Sequence, residues 1–173
     1  MPTHRRSDSP GRHRLCSGHA TDAAANPTRT AILAQGYERC VLPSGLRVLT
    51  STLPHTNAVS IMLLFGAGSR HEPGELAGAS HLLEHLVFKG TERRPTPREI
   101  ADVVESVGGT LNAYTDREVT AYWCRLALPH YRQGLEVLID MARNSLLRQE
   151  DIDKEKRVVF EEIRASNDSP GSR

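Results

Sequence analysis

The sequence predicts an α+β fold, a mixed sheet with helices packed on it, and three observations point there. An apolar, β-prone run from Ala58 to Phe65 is broken by glycines and followed by residues at helical spacing. A helix with a strong start signal begins at Thr96. Residues 110–127 alternate as two more strands, and two further helices follow. Strands and helices thus mix without strict alternation, which separates α+β from a doubly wound parallel sheet.

Residues 1–36 differ from the rest of the chain. They are rich in Arg, His, Ser and Thr, lack apolar periodicity, and read as a disordered extension. No apolar segment of a secretory signal is present, although the Arg-rich, acid-poor character is shared with organellar transit peptides. His13, Cys16 and His19 are spaced three apart, but a disordered tail has nothing to orient them as ligands.

The domain is expected over residues 37–173. Pro43-Ser44-Gly45 forms a turn, and Leu46 to Leu49 a strand after it. Pro54-His55-Thr56-Asn57 is a second turn, before the strand Ala58 to Phe65, which its composition marks as the more buried. Gly66-Ala67-Gly68-Ser69 ends that strand. A helix runs from about Leu76 to Phe88 and stops at Gly90. Thr96-Pro97-Arg98-Glu99 is a capping box with proline at the first helical position. Ile100, Val103, Val104 and Val107 follow at helical spacing, and Gly108-Gly109 closes the helix. The strands within 110–127 join near Thr115-Asp116-Arg117, and the last helices span about 130–145 and about 150–166.

Composition narrows the function. With 22 basic against 21 acidic side chains and a net charge of +1, no nucleic-acid or membrane partner is indicated. The apolar run Val59 to Phe65 is far too short to span a bilayer. Cys16, Cys40 and Cys124 are odd in number and widely spaced, which argues against a disulfide framework and for a reducing compartment. The cytoplasm is the expected location, and the mitochondrial matrix the alternative if the extension is a transit peptide.

The stretch HLLEH, His81 to His85, has two readings. On a helical wheel Ala79, Leu82, Leu83 and Leu86 fall on one side, while His81, Glu84 and His85 share an arc of about 100° opposite. Histidines at i and i+4 can reach one ion, with Glu84 beside them to hold a water molecule. Any amphipathic helix, however, places its polar residues opposite its leucines. The last helix bears on the choice. With Ile152 at zero, Val159 and Ile163 lie within about 20° and define the apolar stripe. Glu155 falls near about −60° and Glu162 near about −80°, short of Val158 at about −120°, whereas Glu161 lies near about 180°. Two acids seven apart thus intrude on the apolar side, which is costly unless each is paired or bound to a cation. His81, His85 and Glu162 make a set that suits Zn²⁺ and leaves a fourth position for water. His55, His71 and His130 sit at turns or loops and read as surface residues.

HLLEH continuing into Leu86-Val87-Phe88-Lys89-Gly90-Thr91 resembles the insulinase/pitrilysin peptidases and the catalytic subunit of mitochondrial processing peptidase, whose H-x-x-E-H order is the inverted-zincin signature. Gly45 to Val48, Gly66 to Arg70, Gly108 to Thr115 and Glu155 to Glu162 extend the resemblance to the N-terminal part of that family's catalytic domain. It implies a zinc-dependent endopeptidase acting on peptides or unfolded segments. His81, His85 and Glu162 are its metal ligands, Glu84 the general base, and Glu155 a helper that orients the site. Asn112 and Ala113 are implied to lie on an edge strand that pairs with extended substrate.

Members of that family continue beyond the third ligand into further homologous domains, so the domain reads as truncated and a second domain or subunit is an expected partner. The competing reading is a non-catalytic relative serving as a structural or partner subunit. The complete ligand set favours the enzyme.

Overall fold

The computed structural model describes residues 28–33 and 36–168, which divide into two units between His55 and Thr56. In the first unit β1 (Thr28–Leu33), β2 (Tyr37–Val41) and β3 (Arg47–Ser51) form an antiparallel sheet in that order. The β2–β3 turn closes where Leu42 N donates to Leu46 O and Gly45 N to Leu42 O, each at 2.9 Å. β1 lies inside the stretch expected to be an extension. Its residues, TRTAIL, carry little pattern of their own, and the strand exists through its pairing with β2. The His13, Cys16 and His19 spacing lies outside the described residues.

The second unit holds β4 (Ala58–Phe65), α1 (Ala79–Val87), α2 (Pro97–Glu105), β5 (Thr110–Thr115), β6 (Thr120–Ala127), α3 (Tyr131–Asn144) and α4 (Gln149–Asp168). Its sheet is antiparallel with the order β4-β6-β5. The α+β class is as expected, while the expected mixed sheet resolves, among the described residues, into two antiparallel ones. β5 and β6 are joined by a short turn in which Asp116 N donates to Val119 O at 2.8 Å.

Alternation gives the second sheet two faces. Ile61, Leu63, Leu111, Tyr122, Cys124 and Leu126 point to the helices, where Val87, Ile100, Val104, Val137, Leu138 and Met141 complete the core. Truncating a fully buried residue such as Leu138 to alanine costs about 2–5 kcal/mol. Gly134 lets α3 sit tightly on β6, since a Cβ there would lie 2.7 Å from Cys124 Sγ. Burial pushes the Cys124 thiol up to about 11. On the other face Met62 and Leu64 are exposed, so β4, expected to be buried, is covered on one side only among the described residues.

Local chemistry sets the helix ends. Thr96 caps α2, its hydroxyl accepting from Glu99 N at 3.3 Å. α1 begins later than expected, after short 3-10 turns at Ser69–His71 and Gly74–Leu76. Among the described residues no helix is long and apolar enough to cross a membrane.

Candidate metal centre

α1 is fixed at its start by an acid from outside the helix. Glu72 accepts from Gly78 N at 2.7 Å and from Ser80 N at 2.6 Å. These amides have no partner within the helix, and a carboxylate suits the positive end of the helix dipole. Burial works to raise the Glu72 pKa, but the hydrogen bonds from Ser80 and Gly78 and the nearby His81 leave it lowered.

Downstream, α1 packs on both β5 and α4. Its histidine side therefore lies against another helix and is only partly exposed, while Leu83, expected on the buried side, is 45% exposed. α4 follows its wheel in part, since Glu162, expected to intrude on the apolar side, is half exposed. Val159 and Glu155 are buried, while Glu161 is exposed and pairs with Arg164 at 2.7 Å. Ile163 departs from the expected stripe at 43% exposure.

Where the two helices meet, three donor atoms converge. His81 Nε2 and His85 Nε2 are 3.3 Å apart, and each lies 3.5 Å from Glu162 Oε2. The imidazoles stand nearly perpendicular, at 81°, with centroids 4.9 Å apart. Four donors around a tetrahedral ion at about 2.0–2.2 Å are separated from one another by about 3.3–3.6 Å. The triangle thus has the dimensions of one face of such a site, and these three residues could hold a metal ion.

Glu155 sets the orientation of one ring. His85 Nδ1 donates to Glu155 Oε2 at 3.1 Å, and Lys89 Nζ pairs with Glu155 Oε1 at 2.7 Å. Because an ionised carboxylate only accepts, the His85 proton belongs on Nδ1 and the Nε2 lone pair is left for a metal. Burial acts to raise the Glu155 pKa, yet the hydrogen bonds and charges of Lys89 and His85 outweigh it and the pKa is lowered.

Glu84 shares the helix with both histidines and makes no hydrogen bond or ion pair among the described residues. Its charge is felt by Tyr122, whose pKa is pushed up to about 12 chiefly by burial and secondarily by Glu84. Asn112 and Ala113 lie on β5, whose outer edge is unpaired among the described strands. There Asn112 Oδ1 accepts from Ala113 N at 2.8 Å.

Of the residues singled out in the sequence, His81, His85, Glu155 and Glu162 are therefore brought together. Glu84, on α1 itself, and Asn112 and Ala113, on neighbouring β5, make no hydrogen bond to the triangle among the described residues. Sequence reasoning missed Lys89, which follows just after the C-cap of α1 at Phe88. It also missed Glu72 and Arg148, which act on backbone groups and carry no local signal.

Residues 47–173 match the family model described as Insulinase (Peptidase family M16). The chain is 36% identical over 166 residues to an uncharacterized zinc protease of Streptomyces coelicolor, covering 92% of this chain and 36% of that one. It is 40% identical over 122 residues to a probable mitochondrial-processing peptidase subunit beta of Arabidopsis thaliana, covering 70% and 23%. Among solved structures, a protease from Helicobacter pylori superposes with a TM-score of 0.74 at 30% identity, covering 79% of this chain and 33% of that one. Pitrilysin does so with a TM-score of 0.66 at 25% identity, covering 80% and 14%. The chain spans about a third of the length of the curated relatives it first matches.

Proposed function

The chain belongs to the insulinase family of zinc metallopeptidases, and from that premise we propose that it carries the catalytic centre of a zinc-dependent endopeptidase. The observation that supports this most directly is the convergence of His81, His85 and Glu162 into a triangle with edges of 3.3, 3.5 and 3.5 Å. Two neutral imidazoles and one carboxylate are a donor set that suits zinc and leaves a fourth position open. His81, His85 and Glu162 would hold the zinc, which would supply Lewis acidity at the open position.

The remaining steps fall to the chain's own side chains. Glu84 would serve as the general base that takes a proton from a water molecule and returns it to the leaving amine, a role open to a carboxylate that makes no hydrogen bond or ion pair among the described residues. Glu155 holds the His85 ring and its tautomer. The free edge of β5 accepts an extended substrate as an added strand, with the Ala113 N–H exchanging its Asn112 partner for a substrate carbonyl. Strand addition requires extended backbone, so the substrates are peptides or unfolded polypeptide segments. A second homologous domain or subunit supplies the rest of the substrate-binding surface.

Elemental analysis of zinc per chain tests the reading. About one zinc is expected in the wild type, lost in Glu162→Ala and kept in both Glu161→Ala and Glu84→Gln. Peptide cleavage, assayed with any companion domain added, disappears in Glu84→Gln. Cleavage that survives this substitution overturns the proposed base.

A further inference from the structure

We propose that Lys89 is a positioning residue for the metal centre, acting through Glu155 on the orientation of His85; this rests on the zinc reading above. The argument begins with how Glu155 is held. Its side chain is only 10% exposed, and each oxygen has its own partner: Oε2 receives the His85 Nδ1–H at 3.1 Å, and Oε1 faces Lys89 Nζ at 2.7 Å. One donor leaves a carboxylate free to rotate about its terminal torsion, which is broad and soft. Two donors on separate oxygens fix its plane, and with it the direction in which His85 presents Nε2.

Lys89 can do this because α4 and the residue before it grip it at two points. Its carbonyl accepts from Arg148 Nη2 at 2.9 Å, and the same guanidinium nitrogen reaches Pro95 O at 2.9 Å. Arg148 is held in turn by Asp151, in the first turn of α4, at 2.8 Å. The main chain of Lys89 is thus tied to the residue just before α4, while its ammonium is tied to Glu155 about two turns further along. Gly90 makes the tight path possible: its φ is +147°, and a Cβ there would lie 2.4 Å from Pro95 O. The end of α1 is consequently set in register with the helix that carries Glu162. Lys89 is itself 31% exposed and touches none of the three ligand atoms, so its influence passes through Glu155.

The test is titration of zinc alone, against a competing chelator, into metal-free wild type, Lys89→Met, Lys89→Arg, Glu155→Gln and the double variant Lys89→Met/Glu155→Gln. Lys156→Met, an exposed neighbour of Glu155, controls for loss of charge. Lys89→Met keeps the apolar stem and weakens zinc binding about tenfold, the lower end of what removing a ligand's supporting group costs. Lys89→Arg restores binding to within about twofold, and Lys156→Met leaves it unchanged. A residue that acts through another adds nothing once that other is gone, so the double variant binds no more weakly than Glu155→Gln. This variant removes the buried charge together with its partner, and it decides the matter even where Lys89→Met alone does not fold. Visible spectra of the cobalt-substituted proteins change in Lys89→Met and recover in Lys89→Arg. Wild type that takes up no zinc overturns the metal-centre reading along with this one. Wild type that binds zinc while Lys89→Met binds equally tightly overturns the role of Lys89 alone, as does a double variant with additive losses.

Discussion

Two buried acids of the second unit, Asp140 on α3 and Glu155 on α4, solve the same problem with different consequences. Asp140 receives Thr91 Oγ1 at 2.7 Å and Asn144 Nδ2 at 2.8 Å, and it pairs with Arg94. Glu155 receives Lys89 and His85. Both carboxylates have their pKa lowered although burial acts to raise it. The side chains that hold Asp140 otherwise reach back among themselves, with Thr91 Oγ1 accepting from Arg94 N at 2.9 Å, or out to Glu136 at the surface. His85 has a second nitrogen, and that atom points at Glu162 and His81. A buried, ionised acid is therefore no sign of a functional site by itself. It becomes one when a partner has bonding capacity left over, aimed at other donors.

Residues 89 and 91 run to the two acids from either side of Gly90, so substitutions can separate the roles. The largest effect is expected for Asp140→Ala. It strands Arg94 and Thr91 and costs about 3–5 kcal/mol in urea unfolding, while zinc affinity of the folded protein stays within about twofold; a large loss of affinity would erase the distinction. Gly90→Ala comes next, at about 1–3 kcal/mol because its backbone conformation is unfavourable for a side chain. Because it displaces both neighbours, it lowers unfolding stability and zinc affinity together. Glu155→Ala shows the converse of Asp140→Ala: zinc affinity falls about 10–100-fold, and metal-free stability falls by less than in Asp140→Ala.

A smaller effect lies in pH dependence. The Asp140 pKa is lowered from its ordinary 3.8, so the stability it contributes is fully present above that value and is lost as pH falls through the folded value. Acid titration of unfolding in Asp140→Asn should lack this loss. The smallest effect belongs to Glu161→Ala, exposed on α4, with a change within about 0.5 kcal/mol by urea unfolding.

How much of this was legible in the sequence follows from how local each signal is. α2 could be placed from Thr96, Pro97 and Glu99 alone, β4 from a continuous apolar run between turn residues, and β5 and β6 from alternation. Glu155 and Glu162 stood out because a wheel fixes their phase relative to Val159. A wheel does not say what covers a face, which is why Leu83 and Ile163 were assigned to a buried side they do not occupy. β1 was invisible because pairing with β2 makes it a strand. Lys89 was passed over because a search for metal ligands does not ask what steadies the groups behind them. Arg148 bonds to two main-chain carbonyls about 55 residues away in sequence, and backbone oxygens leave no trace in side-chain chemistry.

The seating of Cys124 beneath α3 has a practical consequence. With no exposed surface and a thiol that burial pushes up to about 11, Cys124 stays in its unreactive protonated form and is walled off from reagents. Alkylation at this position must wait for α3 to lift from the sheet. The rate at which the native protein consumes a thiol reagent at Cys124 is thus an intrinsic stopwatch for opening of its core, with no label to attach.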